Sequence, residues 1–343
     1  MRPARILYLA ALPLALAASP DADTGADTPH YCSYIYVGAS YPLPVPPPPP
    51  PPLAPILLLH GNAQTGTNFL TTPNGRSGWA SHFLSAGHTV ILPDQTFRGR
   101  SPTPSGCWLV EYSAEFIARQ FTAPRGWPQA QLHTQWPGAG TPGDEVFDRY
   151  YKSTVPFEGN GTLQQERMRE VLLELVTGEE VGDSGVVVVA HLQAGLFAWA
   201  LADAVPGRVR ALVVLEPSGP PFRERVRSTA PARRWGATDI PLVYEPHVVD
   251  PETEFKLLLV AAGGAVRALK RLSDVPVLLV TAEASYHAVY DHCTVAFLRQ
   301  AGVKVEWMKL LEKGQRGNGH MFFMEKDSRE VWKLVEEWIT GLK

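Results

Sequence analysis

From residue 56 onward the chain alternates two kinds of hydrophobic pattern. The first is a short, unbroken apolar run: "ILLL", "HTVILPD", "GVVVVAH", "VRALVVLEP", "VPVLLVTAEAS" and "VKVEWMKL". Strands exposed on one face alternate apolar and polar residues, whereas unbroken runs belong to strands buried on both faces. The second is a helical pattern: "GWASHFLSAG", "LQQERMREVLLELV", the segment from Ala194, "FKLLLVAAGGAVRALKRL", "YDHCTVAFLRQAG" and "SREVWKLVEEWITGL". Strands and helices in strict alternation predict a mostly parallel central sheet covered by helices on both faces, an α/β fold. Two stretches, 98–161 and 220–254, interrupt the pattern. The first is rich in Pro, Gly and aromatics and long for a connection, and both are expected to be cap or lid insertions. Before the sheet, "YCSYIYVGASYPLP" reads as an early strand or hairpin. Pro46 to Pro52 is an unbroken proline run, expected to be stiff polyproline II in a surface loop.

The N-terminus follows different rules. Arg2 and Arg5 precede an apolar stretch from Ile6 to about Ala18, and Ala15-Leu16-Ala17 offers a small-x-small cleavage site. This order is that of a secretory signal peptide over residues 1–18. The run is short for a membrane span, and no later segment is long and apolar enough to be one. The expected layout is a leader, an N-terminal segment over 19–55 with the proline run, and one domain over 56–343. A secreted chain permits a disulfide, and Cys32, Cys107 and Cys293 allow one pair, with Cys32–Cys107 favoured. Asn160-Gly161-Thr162 is an acceptor sequon for glycosylation at Asn160. The formal net charge of −3 gives no electrostatic case for nucleic acid. Neither a phosphate-cradling glycine loop nor a metal-ligand cluster is evident, so no cofactor and no metal are expected.

The order of elements matches an α/β-hydrolase sheet with an inserted cap, and the chemistry such a sheet carries has a known chain order: oxyanion loop, nucleophile, acid, late histidine. His60-Gly61-Asn62-Ala63 directly follows "ILLL", where a glycine turn aims a backbone N–H at a developing oxyanion; Asn62 is the expected donor. His320, in "GQRGNGHMFFMEK", follows the last strand and precedes the last helix, the place of the general base. The acid is Glu216, which ends "VRALVVLEP", or Glu283 or Asp291 after the next strand. The strand–turn–helix "VVVVAHLQAGLFAWALADA" has the small flanking residues of a nucleophile elbow, Ala190, Ala194 and Gly195. Yet Leu192 stands at the position of the attacking residue.

Longer motifs carry a resemblance. "LLHGNAQTGTNFLTTPNGRSGWASHFLSAGHTVILPDQTFRGRS", "HTQWPGAG", "GDEVFDRYY", "WGATDIPLVYEP", "TAEASYHAVYDHCTVAFLRQAG" and "GNGHMFFMEK" resemble the secreted bacterial esterases of the Alcaligenes type and their fungal relatives. The resemblance implies an α/β-hydrolase fold and a Ser–His–Glu triad. It selects Glu216 over Glu283 as the acid, matches His320 to the base, and assigns the oxyanion donors to the N–H groups of Asn62 and Gln193. It also places the triad's serine at Leu192, which has no nucleophilic chemistry. The expected function is that of a carboxylic-ester hydrolase strongly impaired in acyl-enzyme hydrolysis. Two other functions fit the same residues: a non-hydrolytic biosynthetic enzyme of secondary metabolism with His320 as base, performing cyclisation, condensation or elimination, and a binder of apolar ligands. Trp108, Trp127 and Trp136 suggest an apolar pocket for a small ester, lactone or polyketide-like molecule.

Overall fold

The computed structural model describes residues 53–178, 181–225, 228–249 and 267–342, together with the backbone of two N-terminal strands, β1 (Arg5–Ala10) and β2 (Tyr31–Tyr36). The proline run, the leader cleavage site, the side chain of Cys32 and most of "FKLLLVAAGGAVRALKRL" lie outside these residues. Among the described residues Cys107 and Cys293 are free thiols.

The six apolar runs form six strands. They are β3 (Ile56–Leu59), β4 (Val90–Pro93), β7 (Val186–His191), β8 (Val209–Leu215), β9 (Val277–Thr281) and β10 (Val305–Lys309). All six run parallel. They sit in an 8-stranded sheet of order β10-β9-β8-β7-β3-β4-β1-β2. The backbone of β1 pairs antiparallel with β4 and with β2.

Why the runs lack alternation is plain from the packing. Ile56 and Leu58 face one core and Leu57 and Leu59 the other, and all four are fully buried. One face is covered by α1 (Trp79–Ser85) and the closing helix, α7 (Ser328–Thr340). The opposite face is covered by α4 (Gly161–Thr177), α5 (Ala194–Ala204) and α6 (Asp291–Gln300). Apart from Asp203, α5 carries only Ala, Gly, Leu, Phe and Trp, because it is buried on almost every side.

The 98–161 stretch is less irregular than the sequence suggests. It holds a two-stranded antiparallel ribbon, β5 (Leu109–Val110) with β6 (Phe157–Glu158), and two helices, α2 (Ala114–Ile117) and α3 (Glu145–Lys152). Ser113 and Asp144 cap those helices by accepting the Phe116 and Phe147 N–H groups. Elements this short have no periodicity long enough to read. The described part of 220–254 has no helix or strand, only isolated bridges.

Candidate active site

Chain order reverses around β3, with β4 on one side and β7 on the other. Open α/β sheets bind ligands at such a switch point, beyond the carboxyl ends of the strands. Leu59 of β3 is level with Ala190 of β7, so the loops carrying Asn62 and Leu192 leave the sheet side by side. They approach so closely that a Cβ on Gly61 would lie 2.6 Å from His191 Nδ1. The elbow is as crowded on its other side, where a Cβ on Gly195 would lie 2.6 Å from Pro217 Cβ.

Leu192 has φ 51°, a left-handed conformation costing about 1–3 kcal/mol in a non-glycine residue. Its backbone is held there by three hydrogen bonds. Leu192 N donates to Leu215 O (3.1 Å), and Ser218 N and Gly195 N donate to Leu192 O (2.9 and 3.1 Å). Glu216, one residue beyond β8, is left-handed as well (φ 48°), and so is Ala63 (φ 58°). Strain of this kind gathers where a fold must present side chains at fixed angles.

Glu216 and His320 meet, His320 Nδ1 standing 2.5 Å from Glu216 Oε2. Two further donors converge on the carboxylate: Ala282 N at 2.8 Å and Ser285 Oγ at 2.6 Å. The Ser285 oxygen also accepts the His287 N–H (3.1 Å), so its one proton is committed to Glu216. This convergence makes the carboxylate an acceptor and holds His320 in the Nδ1–H tautomer, with a lone pair on Nε2. Burial, and after it the Asp291 carboxylate, push the Glu216 pKa well above the usual carboxylate range, against the pull of Ser285 and Ala282. Burial also drives the His320 pKa well below that of free imidazole, helped by His191 and His287. With Nδ1 held by Glu216, the neutral imidazole has its Nε2 lone pair available as a base.

Around His320 stand Phe121 and His287, both stacked on its ring (5.2 and 5.0 Å between centroids), and His191 at 4.4 Å. Glu216, His287 and His320 bring possible metal-ligand atoms within 4.8 Å of one another. Most of those atoms are already engaged. His287 Nδ1 pairs with Asp291 Oδ1 (2.9 Å), its Nε2 bonds Tyr290 Oη (3.1 Å), and His320 Nδ1 holds Glu216. The donor set does not suit a resident ion. The other acids considered as His320's partner are employed elsewhere. Glu283 accepts the Gly317 N–H (2.8 Å), and Asp291 accepts from Thr281 Oγ1 (2.7 Å) besides holding His287.

The N–H groups of Asn62 and Gln193 carry no hydrogen bond to a described residue, and both residues line the same pocket as Leu192. Gln193 also starts α5, whose N-terminal dipole favours negative charge there. Arg98, which the sequence did not single out, ties the two loops together from below. It is fully buried and donates to Gly61 O (3.1 Å) and Gln193 Oε1 (2.6 Å). Gln193 Nε2 in turn donates to Gln164 Oε1 (3.0 Å). Burial pulls the Arg98 pKa down to about 9, which still leaves it charged at pH 7. Arg98→Met would strand both oxygens without a donor. It should lower unfolding free energy by about 2–4 kcal/mol in urea titrations; an unchanged midpoint would show that the tie is dispensable.

The pocket itself measures about 220 Å³. One wall is aromatic, from Tyr112, Phe116, Phe121, Phe157 and Tyr286. The other is polar, with Glu158, Gln165, Arg233 and Asp239. The tryptophans expected to make it apolar are not in it. Trp108 is 67% exposed, Trp127 packs on the far side of Tyr286 and donates to Ala284 O, and Trp136 is buried against Tyr150. Asn160 is exposed at the pocket's edge, between the lining residues Gly159 and Gly161, and its Oδ1 caps α4 by accepting the Leu163 N–H (3.0 Å).

The alpha/beta hydrolase fold family matches residues 54–243, more than half of the chain. This chain belongs to that family. It is 40% identical over 344 residues to a fungal protein (Fungal sp. strain ATCC 74256) named a probable secreted lipase phiG, covering 94% of this chain and 92% of that one. Its fold is also similar to that of a bacterial esterase solved at atomic resolution, with TM-score 0.61, 22% identity, and coverage of 100% of this chain and 96% of the other. Among the described residues, no helix is long and apolar enough to cross a membrane.

Proposed function

We propose that this hydrolase-family chain is a secreted protein of the carboxylic-ester hydrolase type, in which acyl-enzyme hydrolysis is silenced at Leu192. The observation that carries the reading is the meeting of Glu216 and His320, together with a left-handed Leu192 at the turn between β7 and α5, one residue after His191, whose ring lies 4.4 Å from that of His320. Base, acid and two free amide donors are in place, and the attacking oxygen is missing. Segments 98–161 and 220–254 would act as the cap, since the aromatic wall comes largely from the first and Arg233 and Asp239 come from the second. The ligand is a small ester or lactone, a polyketide-like one included, with an apolar end for the aromatic wall and an oxygen-rich end for the polar wall. The leader over residues 1–18 and a glycan on exposed Asn160 belong to the same reading, as does the relative named a secreted lipase.

A fluorophosphonate serine probe tests the silencing. The native protein should stay unlabelled, while Leu192→Ser should become phosphonylated at one site per chain, with loss of fluoride from the probe. Labelling of the native protein would place the nucleophile elsewhere and sink the reading. A second, non-hydrolytic reading is favoured by one observation: Nε2 of His320 has a phenol, not an aliphatic hydroxyl, beside it.

A further inference from the structure

His320 is 1% exposed and is not part of the pocket wall. Phe121 and His287 are stacked on its ring, and its Nδ1 is committed to Glu216. Only Nε2 is left to exchange a proton with anything outside. The phenol oxygen of Tyr286 stands 3.3 Å from that atom, and Tyr286 does line the pocket, together with Leu192, Asn62 and Gln193. In a triad the elbow hydroxyl links the histidine to the substrate. Leucine at 192 cannot form that link, whereas Tyr286 connects the dyad to the pocket already.

We propose that Tyr286 is a catalytic residue, the group through which the His320–Glu216 dyad moves protons into and out of the pocket, and that the substrate is a carbon acid: a carbonyl compound with an acidic C–H beside the carbonyl. The inference rests on the dyad proposed above and goes beyond hydrolysis. Such chemistry needs no nucleophile. The substrate C–H proton passes to Tyr286 Oη as the phenol proton passes to His320 Nε2. The C–H electron pair becomes the C=C bond of an enolate, and the carbonyl pair moves onto oxygen. The free N–H groups of Asn62 and Gln193 are positioned to receive that oxyanion. The imidazolium is balanced by Glu216. Return of the proton at the same or a neighbouring carbon completes an isomerisation with no oxidant, reductant or second reactant. The titratable groups packed around the phenol are His320, His287 and Tyr290, with Glu216 and Asp291 behind them.

The test uses the native chain and 5-nitrobenzisoxazole. Loss of its C3 proton breaks the N–O bond and releases a coloured phenolate, which reports a pocket base directly. The native protein should accelerate this elimination over buffer, and Tyr286→Phe should cut the acceleration by about a hundredfold, the usual worth of a positioned acid–base group. His320→Gln should cut it as far. Phe keeps the ring contacts, and thermal unfolding checks that the variant is folded. Fluorotyrosine incorporated at position 286 keeps the shape but makes the phenol more acidic. It should move a limb of the pH–rate profile to lower pH, which a packing role would not do. Full activity in Tyr286→Phe with loss in His320→Gln would overturn the phenol's role and leave the dyad standing as a direct base. No rate above buffer, or a rate indifferent to both residues, would overturn the relay and also the dyad as a working base.

Discussion

Leu192→Ser is expected to raise turnover of 4-nitrophenyl acetate by up to about a millionfold over the native protein, the usual cost of losing the nucleophile in a serine hydrolase. Without a nucleophile the native protein should keep only the acceleration over water, about 10³–10⁴, that binding and oxyanion stabilisation supply. The serine would inherit a turn already in the left-handed conformation, held by Leu215 and Ser218. It would also find two unbonded amides beside it and a neutral imidazole held by Glu216. Adding Glu216→Gln to the serine variant should remove about 10⁴ of the gain, because an amide can present its NH₂ to Nδ1 and hold the wrong tautomer. If the serine variant labels with a fluorophosphonate but does not turn over, the base or the oxyanion donors are misplaced. If it neither labels nor turns over, residue 192 is not the position of attack.

Acid should unfold the protein, and His191 should account for a measurable part of the effect. Burial, with smaller contributions from neighbouring charges, lowers the pKa values of His60 and His191 to about 3. In the unfolded chain each returns to about 6.5. Between those values the unfolded state binds more protons than the folded one, so stability is complete above pH 6.5 and falls as the pH drops toward 3. Each residue contributes a slope of about 1.4 kcal/mol per pH unit, or about 5 kcal/mol for the pair between pH 6.5 and 4.5. That is comparable to the whole stability of many domains. Buried carboxyl groups with raised pKa values, Glu216 and Asp203 among them, act in the opposite direction. A comparison with His191→Phe removes about half of that shared contribution. Nδ1 of His191 is buried without a partner among the described residues, and the ring already packs on Phe323 (4.7 Å), so phenylalanine suits the site. Urea titrations from pH 7 to 5 should give a slope shallower by about 1 kcal/mol per unit in the variant. Equal slopes would mean that His191 is not held neutral by the fold.

Much of the site was legible because it lies where strands end. A strand followed by His-Gly, a strand followed by a small-residue turn and a helix, and a histidine between the last strand and last helix are local patterns, and the structure brings Asn62, Leu192 and His320 to one end of the sheet. The acid was not legible from residues alone. Glu216 and Glu283 both follow neighbouring strands, and only the left-handed turn at Glu216 aims its carboxylate at His320, while Glu283 is taken up by the Gly317 N–H. The pocket wall was read wrongly for a related reason. Trp108, Trp127 and Trp136 stood out by size, but nothing in their neighbourhood along the chain says which way they point. Phe121 and Tyr286 lie 165 positions apart in number and yet both rest on His320.

By itself, then, the sequence determined the six strands of the parallel sheet and the helices that cover its two faces, where the turns bearing the chemistry fall, and that residue 192 has no nucleophile. These follow from hydrophobic period and residue chemistry, which are properties of neighbours in the chain. The tertiary structure decided which carboxylate orients His320, that Arg98 ties two loops together, that the pocket is polar on one side, and that a phenol stands beside Nε2. Each of these depends on contacts between residues far apart in sequence, and such contacts are set by how the layers pack.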